Sequence, residues 1–102
     1  MAGDVHELSV RFAPDAREEL DRMIRENPDL HLTVYIKGPG CGGPTLGIEM
    51  REAMETDLVT EQEGITLHIR ETAVPYLETA RIRLEDTFWG KKLKVKRPGA
   101  CG

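Results

Sequence analysis

Cys41 stands in the run Gly38-Pro39-Gly40-Cys41-Gly42-Gly43-Pro44-Thr45, and Cys101 in Arg97-Pro98-Gly99-Ala100-Cys101-Gly102. They are the only cysteines of a 102-residue chain, and each is flanked by glycine. Four chemistries fit such a loop: a phosphate cradle, a cysteine nucleophile, a metal or cluster ligand, or a tight turn with an incidental thiol. The phosphate reading has the right glycine outline, Gly38 and Gly43 followed by Thr45. It lacks the lysine that meets the phosphates, since Pro44 holds that place, and a period-two run follows where a helix N-terminus would be needed. A nucleophile needs a base within reach. The three histidines, His6, His31 and His68, fall on the polar sides of strand-like runs, and nothing in the sequence aims one at Cys41.

The ligand reading uses both thiols. Glycines around a cysteine strip away side chains, so the backbone can approach a bulky inorganic group and offer its N–H groups to the sulfides. Gly40, Gly42 and Gly43 are the residues that would give this room. Iron–sulfur clusters usually take four thiolates, about twice what one chain offers; a two-fold dimer presents every ligand twice. The turn reading, with Cys101 as a tail residue, stays open beside it.

Around these residues the pattern is that of a single globular domain spanning 1–102, with 98–102 expected as a mobile, cysteine-bearing tail. Hydrophobic residues make up 39% and charged residues 31%, as in a folded rather than a disordered chain. No apolar run approaches the roughly 18 residues of a spanning helix, and the N-terminus lacks a signal-peptide pattern, so the expectation is cytoplasmic with no membrane partner. A net charge of −4 gives no overall reason to expect nucleic acid.

Leu8, Val10 and Phe12 alternate as a first strand, and Pro14 opens a helix with Ala16, Leu20, Met23 and Ile24 at helical spacing. Asn27-Pro28 stops it. Beyond that the period is two: 30–37, 46–50, 58–60, 65–69, 80–84 and 93–95 read as strands, with a short helical turn around Pro75. The expected fold is mostly β with some α content: about seven short strands in an antiparallel sandwich or flattened barrel, one N-terminal helix against it. Phe88 and Trp89 read as core or dimer-interface residues. Arg81, Arg83 and Glu85 read as the polar side of a strand. Lys91, Lys92, Lys94, Lys96 and Arg97 read as a solvated edge strand, with a second reading in which they favour the Cys101 thiolate.

This order of features resembles the A-type iron–sulfur carrier family, also called HesB/IscA-like. "KGPGCGGPTLGIEM" is similar to its glycine-rich first-cysteine loop, with Cys41 on that cysteine. "GITLHIRETAVPYLETARIRLED" looks like its central segment, and "FWGKKLKVKRPGACG" like its C-terminal run, where Cys101-Gly102 stands in place of a Cys-Gly-Cys-Gly ending. The resemblance implies a HesB-like fold and a carrier without turnover chemistry. Cys41 and Cys101 become ligands of an iron–sulfur cluster or iron across a homodimer, and the partners are apo iron–sulfur proteins or an assembly scaffold. Two alternatives go with it. One is a thiol redox protein, using a Cys41–Cys101 disulfide or a selenocysteine beyond a truncated end. The other is a HesB-like interaction domain that has lost metal binding.

Overall fold

The computed structural model describes residues 8–40, 43–88 and 90–97. In chain order these form β1 (Val10–Phe12), α1 (Pro14–Glu26), β2 (His31–Gly40), β3 (Gly43–Arg51), β4 (Leu58–Gln62), β5 (Ile65–Ile69), a 3-10 turn (Glu71–Tyr76), β6 (Ala80–Thr87) and β7 (Gly90–Lys96). The strands make two sheets, one ordered β1-β6-β7 and the other β3-β2-β5-β4. The expected tail, 98–102, lies outside the described residues.

Helix α1 begins where its sequence allows. Pro14 takes the first helical position, where the missing N–H is no loss, and the preceding Ala13 is extended. Asp15 accepts the Ala16 N–H at 2.8 Å, and Arg22 bridges Glu19 and Glu26 along the exposed side. At the far end Asn27 donates its side-chain amide to the Met23 carbonyl at 2.9 Å, filling one orphan acceptor before Pro28 prevents continuation. The opposite face buries Ala16 and Leu20 completely. They join Val10, Leu32, Val34, Leu67, Ile69, Leu77 and Ile82 in one apolar cluster to which both sheets contribute.

Two features depart from the expectation. The sheets are mixed: β1 pairs parallel to β6, and β2 parallel to β5. Period-two alternation reports which side of a strand is buried, and carries no information about the direction of its neighbour. Phe88, expected in the core or at a dimer interface, is not in the core. It is 91% exposed, in the two-residue connection left by the Thr87–Gly90 pairing. Trp89 lies outside the described residues.

A buried ionic clamp closes the lower end of the larger sheet. The Asp57 side chain is 1% exposed and receives both contacts of the Arg70 guanidinium, at 2.8 and 2.9 Å. Arg70 also donates to the Glu52 carbonyl at 3.2 Å, and Met54 N–H donates to Asp57 at 2.9 Å, so one carboxylate organises the whole 52–57 connection. His68 Nδ1 lies 3.6 Å from the same carboxylate, and its ring stacks on His31 at 4.3 Å. Burial works to raise the Asp57 carboxyl, but the Met54 N–H and the Arg70 guanidinium outweigh it and hold it below the usual carboxylate range.

Leu20→Ala is expected to lower unfolding free energy by about 3 kcal/mol in urea titration, whereas Phe88→Ser changes it by less than about 0.5 kcal/mol. Because the folded carboxyl sits below the unfolded value of about 3.9, the clamp's stabilisation is fully present above that pH. It is lost as pH falls through the folded value. Asp57→Asn, which leaves Arg70 without its counter-charge, is expected to cost about 3 kcal/mol at neutral pH and to flatten the acid limb of the stability curve.

Candidate functional site

The glycine-rich segment is the far end of the β2–β3 hairpin. The ladder runs from His31 opposite Arg51 to Pro39 opposite Pro44 and Gly40 opposite Gly43, with a register shift between Ile36 and Gly38. An extra residue at that point, Lys37, is a bulge that bends the hairpin as it leaves the sheet. Cys41 and Gly42 are the two residues between the paired glycines and lie outside the described residues, as does Cys101.

The two described glycines of the candidate set are held for different reasons. A side chain at Gly40 would run into the Thr45 hydroxyl and come within 3.3 Å of the Gly43 carbonyl. Thr45 donates that hydroxyl back to the Pro39 carbonyl at 3.4 Å, bracing the ladder across the strands. Gly43 has φ +120°, a conformation that side-chain-bearing residues rarely adopt. Further down, Gly47 lies under the Tyr35 ring, whose Cζ would be 2.8 Å from a Cβ there. Tyr35 donates to Glu49, and the Arg51 guanidinium sits 3.9 Å above its ring. That hydrogen bond holds the Glu49 carboxyl below its usual range.

Arg97 joins the hairpin to the end of β7. It donates from Nη2 to the Pro44 carbonyl at 2.7 Å, with its guanidinium also 5.4 Å from the Tyr76 ring. Pro44 is three residues after Cys41 and Arg97 four before Cys101, and four residues of extended chain span at most about 14 Å. The flanks of the two candidate ligands therefore meet, although some sixty residues separate them in sequence. Arg97 was legible only as one cation in a basic run; its hydrogen-bond partner carried no sequence signal.

The histidines go elsewhere. His31 opens β2 and Gly40 closes it, a separation on the order of 30 Å along the strand. His68 pairs beside Thr33 near that same distant end. Neither can serve as a base at the loop. His6 lies outside the described residues. Among the described residues no group of three or more His, Cys, Asp or Glu is arranged to hold a metal ion.

No protein-family model matches the chain. Individual relatives do. The iron–sulfur cluster insertion protein ErpA 1 of Methylococcus capsulatus is 33% identical over 97 residues, covering 92% of this chain and 76% of the relative. ErpA of Saccharophagus degradans is 34% identical over 99 residues, covering 91% and 85%. The chain belongs to the A-type iron–sulfur carrier family. The fold of such carriers is seen directly in two solved structures. Escherichia coli SufA superposes with a TM-score of 0.71 at 17% identity, covering 95% of this chain and 93% of SufA. IscA, solved with a [2Fe-2S] cluster, superposes with a TM-score of 0.62 at 24% identity, covering 87% and 82%. The seven strands in two sheets and one helix of the described residues thus have the A-type carrier architecture, the mostly β fold with one helix expected from the sequence. In this carrier no described helix is long and apolar enough to cross a membrane.

Gly43→Ala is expected to destabilise this carrier by about 1–3 kcal/mol through its positive φ. Gly38→Ala, where a Cβ meets nothing within 4 Å, should be within about 1 kcal/mol of the parent. Urea titrations of the two variants provide the comparison.

Proposed function

We propose that this chain carries an iron–sulfur cluster as cargo, bound through Cys41 and Cys101 thiolates, and delivers it to apo iron–sulfur proteins without turnover chemistry of its own. The observation that carries the reading is the Arg97–Pro44 hydrogen bond, which ties the strand leading to Cys101 to the hairpin bearing Cys41. Its relatives' role as insertion proteins supports the same conclusion. Two thiolates per chain become the usual four when a second copy docks around a two-fold axis, so the loaded form is a homodimer. Gly40, Gly42 and Gly43 leave the cargo room and supply backbone N–H groups. The Arg97 cation, at the far end of the hairpin beside Gly43, favours the thiolate forms and offsets an anionic cluster. The cargo comes from an assembly scaffold in the cytoplasm, and nucleic acid has no part in the cycle.

Anaerobic incubation with ferrous iron and sulfide tests this. The parent should gain visible absorption with one cluster per two chains and shift from monomer to dimer on gel filtration, while Cys41→Ser and Cys101→Ser should each lose more than about 90% of the absorption. Absence of uptake by the parent overturns the proposal. So does a loss of two titratable thiols per chain on mild oxidation together with unchanged uptake in Cys101→Ser, which would assign the pair to disulfide chemistry.

A further inference from the structure

The β1-β6-β7 sheet buries one face and exposes the other. Val10, Ala80 and Ile82 are buried while Arg11, Arg81 and Arg83 alternate with them and are exposed. Register fixes who stands beside whom on the outward face. Arg11, Arg81 and Lys96 lie abreast across all three strands, Arg83 is opposite Lys94, and Glu85 is opposite Lys92. Six cations thus share this face with one carboxylate, Glu85, which lies 3.3 Å from Lys96. The chain as a whole has a net charge of −4.

Folding alone does not account for this arrangement. Like charges directly opposite each other weaken a sheet, and directly opposed side chains stand only about 5 Å apart, inside the screening length of about 8 Å at physiological salt. Protection of an exposed edge explains lysines on β7, but β6 is the central strand of this sheet and contributes Arg81 and Arg83. A face that accepts such repulsion is suited to a partner that relieves it.

The partner's chemistry follows from the surroundings. The cations gather on this face although the chain as a whole carries a net charge of −4. Helix α1, with Asp15, Glu18, Glu19 and Asp21 beside Arg17, Arg22 and Arg25, packs on the opposite, buried side of the sheet. A compact acidic patch on a protein matches the extent of the face, three short strands carrying six cations. The outward positions of the three strands carry no aromatic residue on which bases could stack. At one end of β7 stands the 91% exposed Phe88, an aromatic anchor of the type that protein interfaces bury. At the other end Lys96 leads to Arg97 on the hairpin.

We propose that the outward face of the β1-β6-β7 sheet, centred on Arg81, Arg83 and Lys94, docks an acidic acceptor protein beside the Cys41 hairpin. The proposal rests on the carrier reading for its purpose, since a partner seated on β7 lies next to the loop from which cargo would leave. Binding itself requires no cargo and is measured without it.

The test uses the full apo chain and apo plant-type [2Fe-2S] ferredoxin as the acidic probe, with dissociation constants from calorimetry at low and physiological salt. The triple variant Arg81→Gln/Arg83→Gln/Lys94→Gln removes the opposed charges, so it should unfold at the same or a higher urea concentration than the parent. Its dissociation constant should nevertheless rise by at least about 10-fold at low salt, with a shallower salt dependence. Phe88→Ser should weaken binding at both salt concentrations alike. An unchanged dissociation constant in the folded triple variant overturns the proposal. So does tighter binding of the parent to duplex DNA or to phosphatidylglycerol vesicles than to the ferredoxin. Cluster uptake by the triple variant is expected to equal the parent's; if neither takes up cluster while the binding difference stands, the carrier reading fails and the docking face survives.

Discussion

Strand β2 is supported unequally along its length, and the rest of the structure is arranged around that inequality. At its base Thr33 and Val34 pair with β5 on one side and β3 on the other, and Arg70 N–H bonds the Val34 carbonyl at 3.0 Å. Past Ile36 the described ladder has β3 as its only partner. A two-stranded ribbon is marginal by itself in water. This one is carried out from a buried base, bent at Lys37, cross-braced by Thr45 and held from the side by Arg97. The core therefore positions the cysteine hairpin indirectly, by fixing its root and leaving its end to a few polar contacts.

How much could be read from the sequence follows the same division. Alternation of Leu32, Val34, Ile65, Leu67 and Ile69 with polar residues marks burial directly, so the strands were legible, as was a helix opened by Pro14 and ended at Asn27-Pro28. Parallel pairing of β2 with β5 was not, because it depends on which strands meet after the chain folds back. The Asp57–Arg70 clamp was equally silent, since an acid and a base thirteen residues apart look like any other surface charges. Phe88, an aromatic beside a tryptophan, read as core or dimer interface; its place between the paired Thr87 and Gly90 puts it in a turn and excludes the core. At the site, the glycines marked a tight segment around Cys41, which at Gly40 and Gly43 answers to the Thr45 contact and a positive φ. The resemblance to A-type carriers supplied the ligand reading. Neither carried the Arg97–Pro44 contact.

The basic strand shows how a pairing register can change the meaning of a composition. Along the sequence, Lys91 to Arg97 is a cationic run that an exposed edge explains. Placed against Arg81 and Arg83 on β6 and Arg11 on β1, the same lysines become part of a two-dimensional field on an otherwise acidic protein. The single acid among them, Glu85, turns its carboxylate to Lys96 at 3.3 Å, so the field is least diluted around Arg81, Arg83 and Lys94.

The Arg97 hydrogen bond also sets a scale for opening. A charge-assisted bond to a half-buried carbonyl contributes about 2 kcal/mol, and each 1.4 kcal/mol is about a tenfold ratio of populations. Arg97 can thus part from the hairpin in a few percent of molecules without disturbing a single described strand pairing or any residue of the core. One side chain acts as a latch between the end of β7 and the hairpin, on an energy scale that thermal motion can reach.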